Sequence, residues 1–136
     1  MDLEEILRKI IQRKYHILEM RLSKYNLVKG QADLLLLIRD NNGITQNELA
    51  NIIGIKDSSM SVRLSKLENS GYIVREVDLE NLKKKKLYIT SNGKAASVQC
   101  RKILREFDEK LYDGFTKKDI KQLGKYLEKM IDNVKK

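Results

Sequence analysis

The stretch at positions 46–64 reads QNELANIIGIKDSSMSVRL, and its spacing decides the fold. Thr45 is followed three residues later by Glu48, a capping-box pattern in which a hydroxyl and a carboxylate satisfy free backbone donors at a helix start. Gly54 permits the positive backbone angle of a tight turn, and Ala50 is small enough for two helices to cross closely. The stretch is therefore typical of a helix-turn-helix unit whose first helix covers positions 46–53.

The second helix of this unit is capped by Asp57 or Ser58 and continues to about position 70. If Met60, Leu64 and Leu67 form its buried stripe, a step of 100° per residue places small and polar side chains on the outward face. The outward residues are Ser58, Ser59, Val62, Ser65 and Lys66, flanked by Ser61 and Arg63. Small hydroxyl residues let a helix approach base edges, and valine can touch a thymine methyl group. Because the arginine and the lysine can bind guanine or phosphate, we predict that this helix inserts into a DNA major groove.

A β-hairpin is predicted after the second helix. Residues 72–77 and 87–90 are rich in β-prone side chains, and the sequence DLENLKKKK lies between them at positions 78–86. Alternate side chains of a strand point to opposite faces, so about half of the four lysines can contact phosphates. The predicted phosphate contacts of the hairpin and of the helix-turn-helix unit are Gln46, Asn47, Lys56, Lys83, Lys84 and Lys85.

The residues alone leave a second interpretation open. A lysine run also discourages pairing at a solvated sheet edge, and helix-turn-helix units also occur in protein-interaction modules. Positions 43–93 hold eight basic and six acidic residues, a net charge of +2, whereas positions 117–136 hold seven and three, a net charge of +4. A DNA-binding face must therefore arise from the arrangement of charges. The alternative function is a winged-helix protein-interaction module without sequence-specific DNA binding.

The rest of the chain adds amphipathic helices around this unit. Apolar residues at helical spacing predict helices over about 3–22, 30–40 and 91–110, and a last one that Thr116 caps. The order α-α-α-α-β-β-α-α gives a mainly α winged-helix fold of the α+β type, with six helices and a two- or three-stranded β-wing. Because 136 residues with 41% apolar content suit one core, we expect a single domain over 1–136.

Composition limits the functions that this chain can have. The net charge of +9 favours a polyanionic partner, such as nucleic acid or an anionic membrane surface. No apolar run approaches the roughly 20 residues that span a bilayer, and no secretory signal is evident, so we expect a cytoplasmic protein without a membrane partner. The lone Cys100 and the lone His16 cannot build a disulfide or a zinc site, and the glycines form no phosphate-binding loop. We therefore expect no cofactor, no metal and no enzymatic activity.

Three segments resemble the MarR family of winged-helix repressors, named for multiple antibiotic resistance. They are LVKGQADLLLLIRDNNGITQNELA at positions 27–50, MSVRLSKLENSGYIVRE at 60–76 and LYITSNGK at 87–94. The resemblance implies a homodimeric, ligand-responsive repressor, with dimerisation helices in 1–28 and 94–136 and a winged helix-turn-helix part in 29–93. Its two winged units would occupy successive major grooves of a pseudo-palindromic operator in double-stranded DNA. The amphipathic first and last helices fit this dimer, although their apolar faces could also pack together within one subunit.

The wing departs from the family pattern at its tip. Relatives carry an Asp-Arg pair whose arginine enters the minor groove, whereas Asn81 and Leu82 stand at the matching positions here, although Asp78 and Arg75 fit the pattern. Lysine is a compact, strongly hydrated charge that suits a narrow groove less well than arginine does. We therefore expect weaker or less selective wing contacts than in relatives.

The resemblance also suggests which chemical signals such a protein could detect. Some relatives detect peroxides through a cysteine beside the first helix, but Cys100 lies on the long helix after the hairpin, and we expect it to be buried and inert. We expect His16 at the surface or in an interface. Other relatives bind small aromatic anions between the dimerisation helices and the winged unit. Candidate contacts for such a small aromatic or anionic effector are Tyr15, Tyr25, Arg13 and Arg39, although tyrosines at these positions also suit ordinary packing.

Overall fold

The computed structural model describes residues 1–135. Within this range, six α-helices and one antiparallel sheet of two strands follow one another in the predicted order, which confirms the mainly α winged-helix fold. The elements are α1 Leu3–Leu22, α2 Lys29–Asp40, α3 Gln46–Ile53, α4 Asp57–Asn69, β1 Ile73–Val77, β2 Lys85–Ile89, α5 Ser91–Leu111 and α6 Lys117–Asn133. A short 3-10 helix, Ser23–Tyr25, follows α1 and ends at Asn26 in the left-handed conformation, with φ 58°. The sequence pattern does not predict this turn.

The start of the helix-turn-helix agrees with its sequence. The Thr45 hydroxyl accepts a hydrogen bond from the Glu48 backbone N–H at 3.2 Å and donates one to the Glu48 carboxylate at 3.0 Å. The first bond satisfies a backbone donor that the first turn of α3 leaves free, whereas the Glu48 carboxylate binds the Thr45 hydroxyl and not the Thr45 backbone N–H, so only half of the predicted capping box is formed. Ala50 is buried, and Gly54 ends the helix with φ 83°, a left-handed conformation that a residue with a Cβ atom adopts only at a cost.

The start of α4 differs from its prediction. The N-cap residue is Lys56, whose side chain makes no capping bond, and Asp57 is the first helical residue, so the prediction of Asp57 or Ser58 as the cap is wrong. The reason is that the Asp57 carboxylate has another partner, since it accepts a hydrogen bond from the Gln46 side-chain amide at 3.2 Å. This bond ties the first turn of α4 to the first turn of α3.

The sheet brings the chain back beside the helix-turn-helix. Strands β1 and β2 pair antiparallel, and Val77 lies opposite Lys85 at the end near the hairpin tip. The other edge of β2 meets the segment before α3, where an isolated bridge joins Thr45 to Lys86. The wing thus consists of two strands and one bridge, within the predicted two or three. Strand β2 begins two residues before the predicted Leu87, so the last two lysines of the run belong to the strand.

The chain divides into two compact units, Met1–Leu104 and a second from Arg105 onward, with α5 running through the boundary. The first unit holds the apolar core, to which α1, α2, α3, α4, both strands and the first half of α5 contribute. Its largest fully buried side chains are Leu18, Leu22, Leu34, Leu35, Ile38, Leu49, Met60, Leu64, Leu67, Ile73, Leu87 and Cys100. This core fixes one side of α3 and of α4, and both helices keep exposed residues on the side that faces away from it.

The second unit contains the end of α5 and all of α6. Thr116 caps α6 as predicted, through a reciprocal pair of bonds with Asp119, both at 3.0 Å. None of the described residues of α6 is buried, although the helix carries apolar residues at helical spacing. No helix within residues 1–135 is both long enough and apolar enough to cross a membrane.

Candidate nucleic-acid interface

Helix α4 has a core-facing side and an exposed side. Met60, Leu64 and Leu67 are fully buried, which confirms the predicted core-facing stripe. Most of the predicted outward residues are exposed, and Val62 is 63% exposed although it is apolar. We call the exposed residues the outer stripe: Ser58, Ser59, Val62, Arg63 and Lys66. Short side chains beside two cations allow a helix to come close to base edges while the cations bind acceptors or phosphates.

Two predicted DNA contacts, Ser61 and Ser65, lie on a different side of α4. Both residues are only half-exposed, and their hydroxyls accept hydrogen bonds from the Arg75 guanidinium, at 3.1 Å from Nη1 and 2.9 Å from Nη2. The placement of Ser65 on the outward face is therefore wrong, because β1 packs along this side of the helix. We call Ser61, Ser65 and Glu68 the inner stripe.

Sequence reasoning gave Arg75 no role in this network, although its side chain joins three elements. Nη2 and Nε lie 3.1 and 3.4 Å from the two carboxylate oxygens of Glu68, and Nη1 lies 3.3 Å from the Gln46 side-chain oxygen. Only 12% of the Arg75 side chain is exposed. Its hydrogen bonds hold the pKa of Glu68 below the usual value. The sequence signals were a cation inside a β-prone run, IVREV, and the fit of Arg75 to the wing pattern of the family.

The three predicted contacts near the helix starts have different surroundings. Gln46 is 5% exposed, and its amide is engaged with Asp57 and Arg75, so the predicted phosphate contact by Gln46 lacks an accessible side chain. Asn47 and Lys56 are exposed at the starts of α3 and α4, where a phosphate can reach them.

The wing lysines extend the exposed side of α4. Lys83, Lys84 and Lys85 are all exposed, and Lys86 is half-exposed with its ammonium 4.0 Å from the Asp78 carboxylate. Two of the lysines line one cleft together with residues of the helix-turn-helix. The lining residues are Gln46, Asn47, Asp57, Ser58, Ser61, Lys83 and Lys85. The cleft therefore places ammonium groups beside the first turn of α4.

The tip of the wing is ordered by its own side chains. The Asp78 carboxylate accepts from the backbone N–H of Glu80 at 2.9 Å, and the Asn81 side-chain oxygen accepts from that of Lys83 at 3.2 Å. Such side-chain turns stabilise a tight loop without a sheet partner. The loop carries Leu79 and Leu82 with 91% and 74% of their surface exposed. An apolar side chain thus stands where the family pattern has an arginine.

The four candidate effector contacts do not line one shared cavity among those described. Tyr25 lines a cleft with Tyr72 and Gln99, and its hydroxyl lies 3.4 Å from the Gln99 side-chain oxygen. Arg13 lines a separate cleft at the N-terminus of α1, and Arg39 donates a 2.7 Å bond to Ser97. Tyr15 is exposed on α1.

Cys100 is buried, as expected, and burial raises the pKa of its thiol to about 11. A thiol with such a pKa is protonated near neutral pH and is a poor nucleophile. His16 is exposed on α1. Among residues 1–135, no three His, Cys, Asp or Glu side chains come together as a metal site requires.

Comparison with known proteins agrees with this geometry. The family model described as winged helix-turn-helix DNA-binding matches residues 32–74. The curated relative YybA of Bacillus subtilis (strain 168), an uncharacterized HTH-type transcriptional regulator, is 30% identical over 111 residues, which are 82% of this chain and 74% of YybA. The crystal structure of MarR has a TM-score of 0.78 and 27% identity, covering 98% of this chain and 90% of that one. A MarR family transcriptional regulator from Listeria monocytogenes, complexed with a 26mer DNA, has a TM-score of 0.79 and 27% identity, over 98% and 89% of the two chains.

A helix-turn-helix that packs on the core and is followed by a two-stranded hairpin defines a winged helix-turn-helix protein. The similarity in sequence and the similarity in fold both indicate a narrower family within this class. The chain belongs to the MarR family of transcriptional regulators.

Proposed function

We propose that the protein is a transcriptional regulator that binds double-stranded DNA sequence-specifically, as a homodimer on a pseudo-palindromic operator. The outer stripe of α4 carries the proposal, because it is exposed and polar while the opposite side of the helix is anchored in the core. A helix of this kind fits the major groove of B-DNA, which is about 12 Å wide. The family resemblance implies repression, and we place such a regulator in the cytoplasm as part of this proposal.

A salt titration of duplex binding tests the proposal. Contacts to phosphates make the logarithm of affinity fall linearly with the logarithm of salt concentration, by roughly 0.9 for each phosphate neutralised. We expect a steep fall for the wild-type protein and a shallower one for Lys84→Ala combined with Lys85→Ala. The matched control is Lys117→Ala with Lys118→Ala, which removes the same charge from two exposed lysines of α6. A flat response of the wild-type protein would favour a protein-interaction module.

Recognition of the base sequence needs a separate test, because lysine contacts to phosphates do not depend on the DNA sequence. Selection of bound duplexes from a randomised pool should give a two-fold-symmetric site, with half-sites about one helical turn apart. Arg63→Ala should weaken binding to this site by about 1–3 kcal/mol and relax the preference at one base pair. The control is Arg101→Ala, an exposed arginine on α5 paired with Asp40. If Arg63→Ala weakened binding to all duplexes equally, Arg63 would be a phosphate contact and not a base contact.

The homodimer is supported by apolar surface that one protomer leaves exposed. Exposed large apolar residues of α1 include Ile10, Ile11 and Met20, and those of α6 include Met130 and Ile131. Exposed apolar surface on an amphipathic helix often marks a protein–protein interface, and a two-fold axis can bury such a surface against a second copy. We expect sedimentation to give a dimer for the wild-type protein and a monomer for Ile10→Glu. Gln12→Glu adds the same charge at an exposed polar position of α1 and should stay dimeric.

We also propose that a small ligand that regulates the protein binds in the cleft beside Tyr25. Tyr72 and Gln99 also line this cleft, and their aromatic ring and amide suit a small aromatic or anionic ligand. Calorimetric titration with salicylate and benzoate as probes should give saturable binding that Gln99→Ala weakens. No binding of either probe at millimolar concentration would remove the ligand response from the proposal.

A further inference from the structure

The Arg75 guanidinium holds the wing and both helices of the helix-turn-helix together. It donates to Ser61 and Ser65 on α4 and to Gln46 on α3, and it forms a two-point ion pair with Glu68. Its donors are shared among partners from α3 and α4, while its own backbone lies in β1. A guanidinium presents several donors in a fixed planar fork, so these contacts restrict both the distance and the rotation of α4 relative to β1.

The partners of Arg75 on α4 follow the helical repeat. Ser61, Ser65 and Glu68 are spaced by four and three residues, so they form one stripe along one side of the helix. All three are half-exposed, whereas every member of the outer stripe is exposed. The Ser65 hydroxyl also donates to the Ser61 backbone oxygen at 2.9 Å, so it is occupied as both donor and acceptor. Outside the core, α4 thus has one side whose polar groups bind Arg75 and one side that is exposed to solvent.

The network continues beyond the guanidinium. Gln46 accepts from Arg75 with its oxygen and donates to Asp57 with its nitrogen, which links the first turns of α3 and α4. Because Gln46 is buried, both halves of its amide are engaged within the protein. A buried amide left without partners would cost free energy, so removal of Arg75 disturbs the contact between α3 and α4 as well as the wing.

We infer that Arg75 is a positioning residue for sequence recognition: it holds the inner stripe against the wing and fixes the rotation of α4, so that only the outer stripe meets the bases. The inference rests on the proposed DNA binding and deepens it. Ser61 and Ser65, which helical spacing alone assigned to DNA, then serve to anchor the helix. Arg75 itself contacts neither base nor phosphate, because its donors are engaged inside the protein.

The first test removes the planar guanidinium of Arg75 but keeps its positive charge. Arg75→Lys removes the planar set of donors, and a single ammonium cannot bind Glu68, Gln46 and both serines in the same geometry. We expect the ratio of specific to nonspecific affinity to fall at least tenfold, while the salt dependence of nonspecific binding stays that of the wild-type protein. A retained ratio would overturn the inference, since Arg75 would then act through its charge alone. A shallower salt dependence in Arg75→Ala would also overturn it, because Arg75 would be a phosphate contact.

The second test compares two pairs of serines on the same helix and holds even if the Arg75 variants fail to fold. Ser58→Ala with Ser59→Ala removes two hydroxyls from the outer stripe, and Ser61→Ala with Ser65→Ala removes two from the inner stripe. Selection from a randomised duplex pool measures the base preference of each variant, and thermal unfolding measures its stability. We expect the outer pair to change the preferred base at one position or more, and the inner pair to lower the melting temperature and the ratio of specific to nonspecific affinity with every preferred base unchanged.

The remaining outcomes separate this inference from the proposed function. A changed base preference in the inner pair would make Ser61 or Ser65 a base contact and overturn the inference, and so would an unchanged preference in the outer pair. Either result leaves the proposed function intact as long as the wild-type protein selects a symmetric site. A wild-type protein that binds no duplex at low salt removes the proposed function and, with it, this inference.

Discussion

The contact between the start of α5 and the wing can be broken by a single methyl group. Gly93 lies in the first turn of α5 and is buried, and its backbone N–H donates to the Thr90 hydroxyl at 3.0 Å. A Cβ atom on Gly93 would lie 2.0 Å from the Tyr72 backbone oxygen and 2.7 Å from Ile89 Cγ1. Real Cβ atoms essentially never approach closer than 3.0 Å, so the helix or the strand must move by about 1 Å. Backbone shifts of this kind cost about 1–3 kcal/mol.

We therefore expect Gly93→Ala to lower the free energy of unfolding by about 1–3 kcal/mol in urea denaturation followed by circular dichroism. Gly30→Ala is the control, because a Cβ atom at this exposed position in α2 meets nothing within 4 Å and should stabilise by about 0.4–1 kcal/mol. Both variants must be measured at one protomer concentration, since the proposed dimerisation would add to apparent stability. Equal stability of Gly93→Ala and Gly30→Ala would contradict the close packing of α5 against the Tyr72 backbone.

Three further predictions concern the core, the wing tip and the thiol. Leu64→Ala should lower the free energy of unfolding by about 2–5 kcal/mol because Leu64 is fully buried. Val62→Ala, at an exposed position of the same helix, should change it by less than about 0.5 kcal/mol, and equal effects would contradict the orientation of α4. Leu82→Arg should strengthen duplex binding and steepen its salt slope by about one per protomer, and an unchanged slope would mean that the tip does not reach DNA. Since burial raises the Cys100 pKa from 9.0 to about 11, folding favours the neutral thiol, and the contribution of Cys100 to stability should be fully present below about pH 9 and be lost between about pH 9 and 11. A Cys100→Ala variant with the same alkaline loss would refute this origin.

The local structure was predictable because it follows from nearest neighbours in the chain. Thr45 with Glu48, and Gly54 after them, define α3 within a few residues, and the bounds agree with Gln46–Ile53. The buried side of α4 followed in the same way, from three apolar residues at helical spacing. Caps, turns and amphipathic spacing depend on residues about one helical turn apart, so a single sequence contains them.

The anchoring of α4 was not predictable because its cause lies elsewhere in the chain. Helical spacing gives one direction for the core, but it does not show that β1 covers a second side of the helix. Arg75 is ten residues from Ser65 and 29 from Gln46, and only the fold brings the three together. For the same reason Gln46, a polar residue at a helix start, seemed accessible from its sequence position although it is buried.

In the proposed DNA complex, one part of the surface would give affinity and another part would give specificity. Exposed lysines of the wing lie beside the first turn of α4, where they suit any phosphate backbone, while the outer stripe offers short side chains to base edges. Phosphate contacts fix the position of a protein on a duplex but carry no sequence information. The rotation of α4 must then be held by the protein itself, because a helix free to turn by one residue would present other side chains to the bases. Since the core holds one side of the helix and Arg75 an adjacent side, the proposed base preference would depend on a residue that touches no DNA.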